Sequence, residues 1–426
     1  MLIQTISTKE LSGRLNNPQF TILDIRSSTA YHGWRLQDEA RGGHIPGAIC
    51  FSQSWIKDLS PSELRSLLES KDIKPTNTVV VYGYQSDDCL TFAKMLKDIG
   101  FSNVLIYQAG IQEWAADVSL PMDKLKNVEK LVYPEWIKQL ISGKMPPNEP
   151  QKAYGLFEIG WEGLEQYVAG HIPGAVYFEL SQIEDPHTWN IIPEDDLSAF
   201  LLHLGITSND TAVLYGRNPM ASFRAANILM YAGVEDVRVL DGGFDAWLNA
   251  GYPVETGIIH PTPQTNFGRT IPAHPEYVIG IDQVKELLAE DDGVLVNVRS
   301  WDEYLGKTIG YSFIETKGHI AGAVWGYSGS DPHHMQDYKN PDNTMRSYHE
   351  IVHNWKKQGI TPDKRTAFYC GTGWRASEAF FYAYLIGWPE ISVYDGGWFE
   401  WSQDPSNPIE LGSPFTTEDP PTSRST

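Results

Sequence analysis

Cysteine is scarce in this chain: Cys50, Cys89 and Cys370 are the three among 426 residues. So small and odd a set excludes a disulfide framework and points to a reducing compartment. Surplus basic charge is missing too. Lys and Arg number 33 against 54 Asp and Glu, a net charge of −21, which argues against nucleic acid or an anionic membrane as a partner. No apolar run reaches the roughly 18 residues that a membrane span needs. The segment Met1 to Ser7 lacks the basic region and apolar core of a secretory leader. A cytoplasmic location is expected, and an exported form whose leader has been removed remains open. Phosphate-binding and dinucleotide fingerprints are absent, as is any Cys/His cluster with zinc spacing. His333 and His334 are adjacent and cannot share a helix face as paired metal ligands do. Neither a cofactor nor a metal is expected.

What the chain does have is a motif written three times. Gly43-His44-Ile45-Pro46-Gly47-Ala48 recurs from Gly170 to Ala175 and, with Ala321 for proline, from Gly318 to Ala323. The histidines lie 127 and 148 residues apart, periods too long for a solenoid and suited to tandem domains. An apolar strand ends in Tyr82, Tyr215 and Tyr369. In each copy a glycine follows 28 residues later, opening a turn that ends in Trp114, Trp247 or Trp401. Strands alternate with helical segments, which predicts an α/β fold of mainly parallel sheets with helices on both faces. The expected division is 1–122, 123–260 and 261–412, with linkers near Val118–Val128 and Thr256–Thr270. A Pro-, Thr- and Ser-rich tail, 413–426, is expected to be disordered.

The copies differ at one position. After the tyrosine the first two continue with Gly83 and Gly216, and the third with Cys370. That thiol heads the turn Cys370-Gly371-Thr372-Gly373-Trp374-Arg375, with a strand before it and good helix formers after it. Backbone N–H groups of such a turn and of the following helix start converge on the sulfur and favour an anion carried there. The two glycines are expected to take positive φ, which a β-branched residue cannot. Ligands of parallel sheets bind beyond the carboxyl ends of strands, where this turn sits. Four residues separate Cys370 from Arg375. The cysteine phosphatase loop has five, which surround a tetrahedral phosphoryl group, and the shorter loop suits a single sulfur atom. Phosphatase or arsenate reductase chemistry is the less favoured alternative.

Together the Gly-His-Ile turn, the cysteine-headed loop and the Gly-Gly-x-x-x-Trp turn resemble the rhodanese family of sulfurtransferases over nearly the whole chain. Three copies with one thiol, in the last, look like the three-domain thiosulfate sulfurtransferases. The resemblance implies a sulfurtransferase in which Cys370 takes a sulfane sulfur from thiosulfate or a related small donor. Cys370 would hold that sulfur as a persulfide and pass it to cyanide or a thiol. Gly371, Thr372, Gly373, Trp374 and Arg375 would form the cradle. Mercaptopyruvate as donor, or a persulfide carrier that docks a cysteine desulfurase, are the alternatives. In mercaptopyruvate enzymes an arginine of an Asp-x-Arg motif helps to hold the donor. Here the motif is Asn297-Val298-Arg299, so Arg299 either offers its charge to substrate or pairs with Asp302 or Glu303.

The other candidates read as structural. His44 and His171 occur in copies without a thiol, so His319 is expected to shape its turn. Asp87 and Asp88 make the first pivot hostile to anions, and Cys89 stands six positions from it. A cysteine installed at Gly216, beside Arg217, should hold sulfur more readily than one at Gly83. Arg217 and Arg224 are expected at a domain interface, and Cys50 as a buried apolar residue at the start of a strand. The longer stretch between His319 and Tyr369 includes Tyr327 to Tyr338, which could close over the cradle as a lid.

Overall fold

The computed structural model describes residues 3–15, 17–57 and 59–412. The expected disordered tail lies outside the described residues. The described residues fall into two compact units, those up to Val128 and those from Glu129 to 412. The first holds one α/β domain and the second holds two.

Each domain is built on a five-stranded parallel sheet of identical order. In the first domain the spatial order is Gln4–Thr5, Val104–Ile106, Thr78–Tyr82, Phe20–Asp24 and Ala48–Cys50. The second repeats it with Leu131–Val132, Asp236–Leu240, Thr211–Gly216, Tyr154–Gly160 and Val176–Glu179. The third uses Val278–Ile279, Ile391–Tyr394, Arg365–Tyr369, Gly293–Asn297 and Val324–Trp325. The strand ending in the repeated tyrosine is central in every sheet, so the residue after it emerges at the sheet's carboxyl edge. The sequence pattern marks the three inner strands of each sheet. The two outer ones are only two to four residues long and carry too short an apolar run to announce themselves. Cys50 accordingly ends a strand rather than starting one, and it is buried.

Repeated contacts explain the repeated motifs. His44, His171 and His319 each stack on a tyrosine, at 3.7, 4.0 and 3.9 Å between ring centroids. Each Nδ1 reaches that tyrosine's carbonyl, at 2.7, 2.9 and 2.7 Å. Tyr82, Tyr215 and Tyr369 accept through their hydroxyls from the backbone N–H of Ile45, Ile172 and Ile320. The three Trp-bearing turns are the first turns of short helices. Their indole N–H groups donate to the carbonyls of Pro121, Pro253 and Pro408. Histidine, tyrosine and tryptophan thus fasten the same turns in every copy, with or without a thiol nearby.

The second and third domains are docked through two helices. Pro219–Ala232 and Trp374–Ile386 are buried along nearly their whole length, as a helix apolar on all sides must be. They pack on one another, Phe223 lying 5.5 Å from Phe381 and 5.3 Å from Tyr382. The arrangement is a pseudo-two-fold. In the second domain a loop bridged at Glu184 and Ile191 reaches the third, where Ile191 N–H donates to Asp395 at 2.7 Å. Its counterpart in the third domain, bridged at Lys339 and Met345, reaches back, and Met345 N–H donates to Asp241 at 2.7 Å. Asp241 and Asp395 each open a Gly-Gly turn. Among the described residues no helix is long and apolar enough to cross a membrane.

Candidate functional site

Cys370 follows the central strand of the third sheet and is fully buried. The loop then enters the helix Trp374–Ile386 through Gly373, whose φ is +90°. Only one of the two glycines therefore needs the left-handed region. Gly371 does not take positive φ, contrary to expectation. It is required for space, because a Cβ there would stand 2.6 Å from the Tyr311 ring. At Gly397, in the neighbouring turn, a Cβ would meet the Cys370 carbonyl at 2.9 Å, so the two turns are pressed together.

Two guanidinium groups lie behind the loop and share one carboxylate. Arg375 makes a bidentate pair with Glu303 at 2.8 and 3.0 Å. Arg299 donates to Glu303 at 3.1 Å and to the Gly318 carbonyl at 2.8 Å. All three side chains are fully buried. Arg299 thus pairs with Glu303, one of its two expected partners, and not with Asp302. Its Nη2 and the Nε of Arg375 have no hydrogen-bond partner among the described residues. Burial lowers the Arg299 guanidinium. Burial pulls Arg375 the same way, but Glu303 and Tyr311 outweigh it and raise it. Against its own burial, Glu303 is held well below the usual carboxylate range by Arg375 and Arg299. Two cations to one anion leave a positive surplus beside the sulfur.

Asn297 is the reason for that surplus. Its amide donates to the Tyr369 hydroxyl at 2.7 Å. The matching residues in the other domains are carboxylates. In the first domain Asp24 accepts from Tyr82 and pairs with buried Arg26, which also faces Glu39 at 3.6 Å. In the second, Glu158 accepts from Tyr215 and pairs with Arg217 at 2.9 Å. Arg217 therefore lies within its own domain and not at an interface, whereas Arg224 does cross between domains two and three.

The thiol-free pivots are also shaped differently. At Gly216 a Cβ would meet the carbonyls of Ile159 and Asn218 and the Ser222 hydroxyl, each at 2.9 Å. A Cβ at Gly83 would meet Ile25 Cγ1 at 2.9 Å, so neither thiol-free pivot has free space for a side chain as it stands. The first pivot borders a cavity of about 250 Å³ lined by Arg26, Ser52, Gly83, Tyr84 and Asp88. Cys89 is buried in the adjacent helix, and burial, with Asp88 and Asp24 adding to it, pushes its thiol up to about 12. Such a thiol stays protonated and inert.

Aromatic rings from both docked domains gather beside the loop. Tyr311 lies beside Gly371 and over Arg375, 5.5 Å from its Cζ, and donates its hydroxyl to the Pro332 carbonyl at 2.8 Å. Burial, against the pull of Arg375, raises the Tyr311 phenol to about 12. Phe313 stacks on Tyr311, Trp189 on Phe313, and Trp161 on Trp189, with centroids 5.0 to 5.2 Å apart. Trp161 meets Trp374 edge-on at 5.5 Å. The stretch expected as a lid touches this wall through Pro332 and His333, and the chain that follows it docks on the second domain at Met345. Neither Tyr311 nor the two second-domain tryptophans carry a sequence signal, since no repeat or spacing marks them.

A model of the rhodanese-like domain matches residues 7–117, 161–250 and 281–404. The chain is 40% identical to thiosulfate sulfurtransferase YnjE of Escherichia coli (strain K12), over 92% of this chain and 88% of that protein. It is 31% identical to a putative thiosulfate sulfurtransferase of Haloferax volcanii, over 66% of this chain and 96% of that one. Among solved structures, an anaerobic ergothioneine biosynthesis enzyme from Chlorobium limicola, bound to its natural substrate trimethyl histidine, superposes with a TM-score of 0.93. It is 42% identical, covering 97% of this chain and 100% of that one. EanB, in a tyrosine-to-phenylalanine form carrying a cysteine persulfide in a tetrahedral intermediate state with ergothioneine, superposes equally well at 42% identity, covering 96% and 100%. A threonine-to-valine form of EanB binds hercynine.

Proposed function

The chain belongs to the rhodanese family and is a sulfurtransferase, and on that footing we propose that Cys370 is its sulfur-carrying nucleophile. The thiolate attacks the outer sulfur of a small sulfane donor such as thiosulfate. The donor's S–S bond breaks, sulfite leaves with the bonding pair, and a Cys370 persulfide remains. A nucleophilic acceptor, cyanide or a thiol, then attacks the outer sulfur and the Cys370 thiolate departs. Gly371 to Arg375 hold the anionic sulfur in both forms. Arg299 and Arg375 set the local potential. The single observation that carries this reading is the buried thiol at a strand end beside two guanidiniums that share one carboxylate. Preorganised charge of this kind acts where anionic character develops and needs no reorganisation during the reaction. Peptide mass spectrometry after exposure to thiosulfate should find one added sulfur on Cys370. Sulfur on another residue, or no loading by thiosulfate, mercaptopyruvate or a desulfurase with cysteine, would overturn it.

A second acceptor class is supported by Tyr311. In EanB the varied tyrosine precedes the persulfide cysteine by the same interval that separates Tyr311 from Cys370, and the varied threonine follows at the place of Thr372. Tyr311 lies against the loop and an aromatic wall stands beside it. An imidazole-bearing betaine such as hercynine fits these surroundings, since a quaternary ammonium is attracted to aromatic faces. Persulfide-loaded protein mixed with hercynine should yield ergothioneine. Return of the sulfur to cyanide alone would restrict the enzyme to simple thiophiles.

A further inference from the structure

The thiol-free second domain reaches the loop of the third through one fully buried group of charges. Arg224, on the docking helix Pro219–Ala232, donates from Nε to Glu184 at 2.6 Å and from Nη2 to Asp395 at 2.6 Å. Glu184 also accepts the indole N–H of Trp374, its two oxygens lying at 3.2 and 3.0 Å. The third nitrogen of Arg224, Nη1, has no hydrogen-bond partner among the described residues. It lies 3.0 Å from where a Cβ on Gly373 would be. Two successive loop residues, Gly373 and Trp374, are therefore set by side chains of another domain.

The pseudo-two-fold supplies an internal control. Glu378 stands nine residues after Tyr369, as Arg224 does after Tyr215. It pairs with Lys339, the counterpart of Glu184, and Lys339 acts on Asp241, the counterpart of Asp395. The same three places are filled with two charges inverted. If docking the domains were the sole task, either polarity would serve, and nature uses both. Only on the side of Cys370 does the loop residue carry an acceptor, and only there does the facing pivot offer an indole donor.

We propose that Glu184 and Arg224 are positioning residues for sulfur transfer: they hold Trp374 and Gly373, and through them the loop that Cys370 heads. The inference rests on Cys370 being the loaded thiol. It gives the second domain a task in the reaction, performed without a nucleophile of its own. A displacement of about 1 Å in a preorganised site costs on the order of 100-fold in rate.

The test is a charge swap in the full chain, Glu184→Lys with Arg224→Glu, which copies the polarity of Lys339 and Glu378. Its mirror is Lys339→Glu with Glu378→Lys. Both are assayed for melting temperature, for sulfur loaded on Cys370 from thiosulfate, and for kcat and KM in transfer to cyanide. On the Cys370 side the swap should fold with one cooperative transition and lose about 10- to 100-fold in kcat, with KM for thiosulfate changed less than about threefold. Returning the acceptor alone, as Arg224→Lys with Glu184 intact, should restore most of that loss. The mirror swap should keep wild-type turnover. Wild-type kcat in the Cys370-side swap, or an equal loss in both swaps, would overturn the inference and leave the charges a purely structural role. If the swapped chain fails to fold, Glu184→Ala, which removes the acceptor and leaves Arg224 its bond to Asp395, decides by the same kcat–KM split, and an unchanged kcat overturns the proposal. Failure of wild-type protein to load Cys370 would instead sink the functional reading, a separate outcome.

Discussion

The pivot of the first domain and that of the third share nearly everything a backbone can share. Each ends a central parallel strand with a tyrosine, turns, and starts a helix, and each sets a buried arginine at the end of the neighbouring strand. They part in charge. Arg26 faces two carboxylates, Asp24 and Glu39, so one negative charge is left over. Arg299 and Arg375 face one carboxylate, Glu303, so one positive charge is left over. Thiol and local charge thus differ together. A cysteine alone would not convert the first pivot, because a persulfide anion there would meet a field of the wrong sign.

The largest break in this comparison is Cys370→Ser. Transfer should fall by on the order of 10⁴-fold or more, since a serine hydroxyl forms no persulfide, while Cys50→Ser and Cys89→Ser keep turnover if they fold. Residual transfer at wild-type rate, measured as thiocyanate formed from thiosulfate and cyanide, would remove Cys370 from the reaction.

Next comes Asn297→Asp, which gives the third pivot the carboxylate of the other two. It should cancel the surplus charge and lower kcat/KM for an anionic donor by about 10- to 100-fold. An unchanged value would mean that loop shape, and not potential, separates the copies.

Shape has its own test. With Cys370→Ser as background, neither Gly83→Cys nor Gly216→Cys should bind sulfane sulfur at one equivalent per chain. The first meets Ile25 Cγ1 at 2.9 Å, the second two carbonyl oxygens. A loaded Gly216→Cys protein would show that the loop can rearrange.

The smallest effect is on stability against pH. Burial pushes Glu184, facing Arg224 and Asp395, up to about 7. It does the same to Asp241, which faces Lys339, Asp342, Glu378 and the Met345 N–H. Both acids bind protons more tightly folded than unfolded. Their contribution is therefore complete below about pH 4 and is lost as pH rises through about 7. The docked pair should lose on the order of 1–2 kcal/mol between pH 5 and 8, read as a falling melting temperature. Glu184→Gln and Asp241→Asn should each flatten that slope.

How much of this was legible from residues follows from how far each contact reaches along the chain. The three domains and the pivot were readable because the Gly-His-Ile turn, the tyrosine and the tryptophan recur at fixed spacing and act locally. Short outer strands were not, since two residues carry no periodicity. Arg299 was found by its motif, and its partner Glu303 by proximity. Tyr311, Trp161, Trp189 and Glu184 escaped because they meet the loop only after two domains dock. One signal for that docking did exist. The helix after the first pivot carries Lys94 and Lys97 on a solvated face, whereas Pro219–Ala232 has Arg224 as its single charge. A helix with no polar side must be covered, and the cover is the matching helix of the next domain.

The pseudo-two-fold pair amounts to a dimer written as one chain. In a true symmetric dimer every change at an interface appears twice, once for each subunit. Joined in tandem, the halves escape that constraint. One flank could keep a glutamate to grip an indole while the other took a lysine. One pivot can carry a thiol while the other carries glycine, and covalent linkage is what permits the asymmetry.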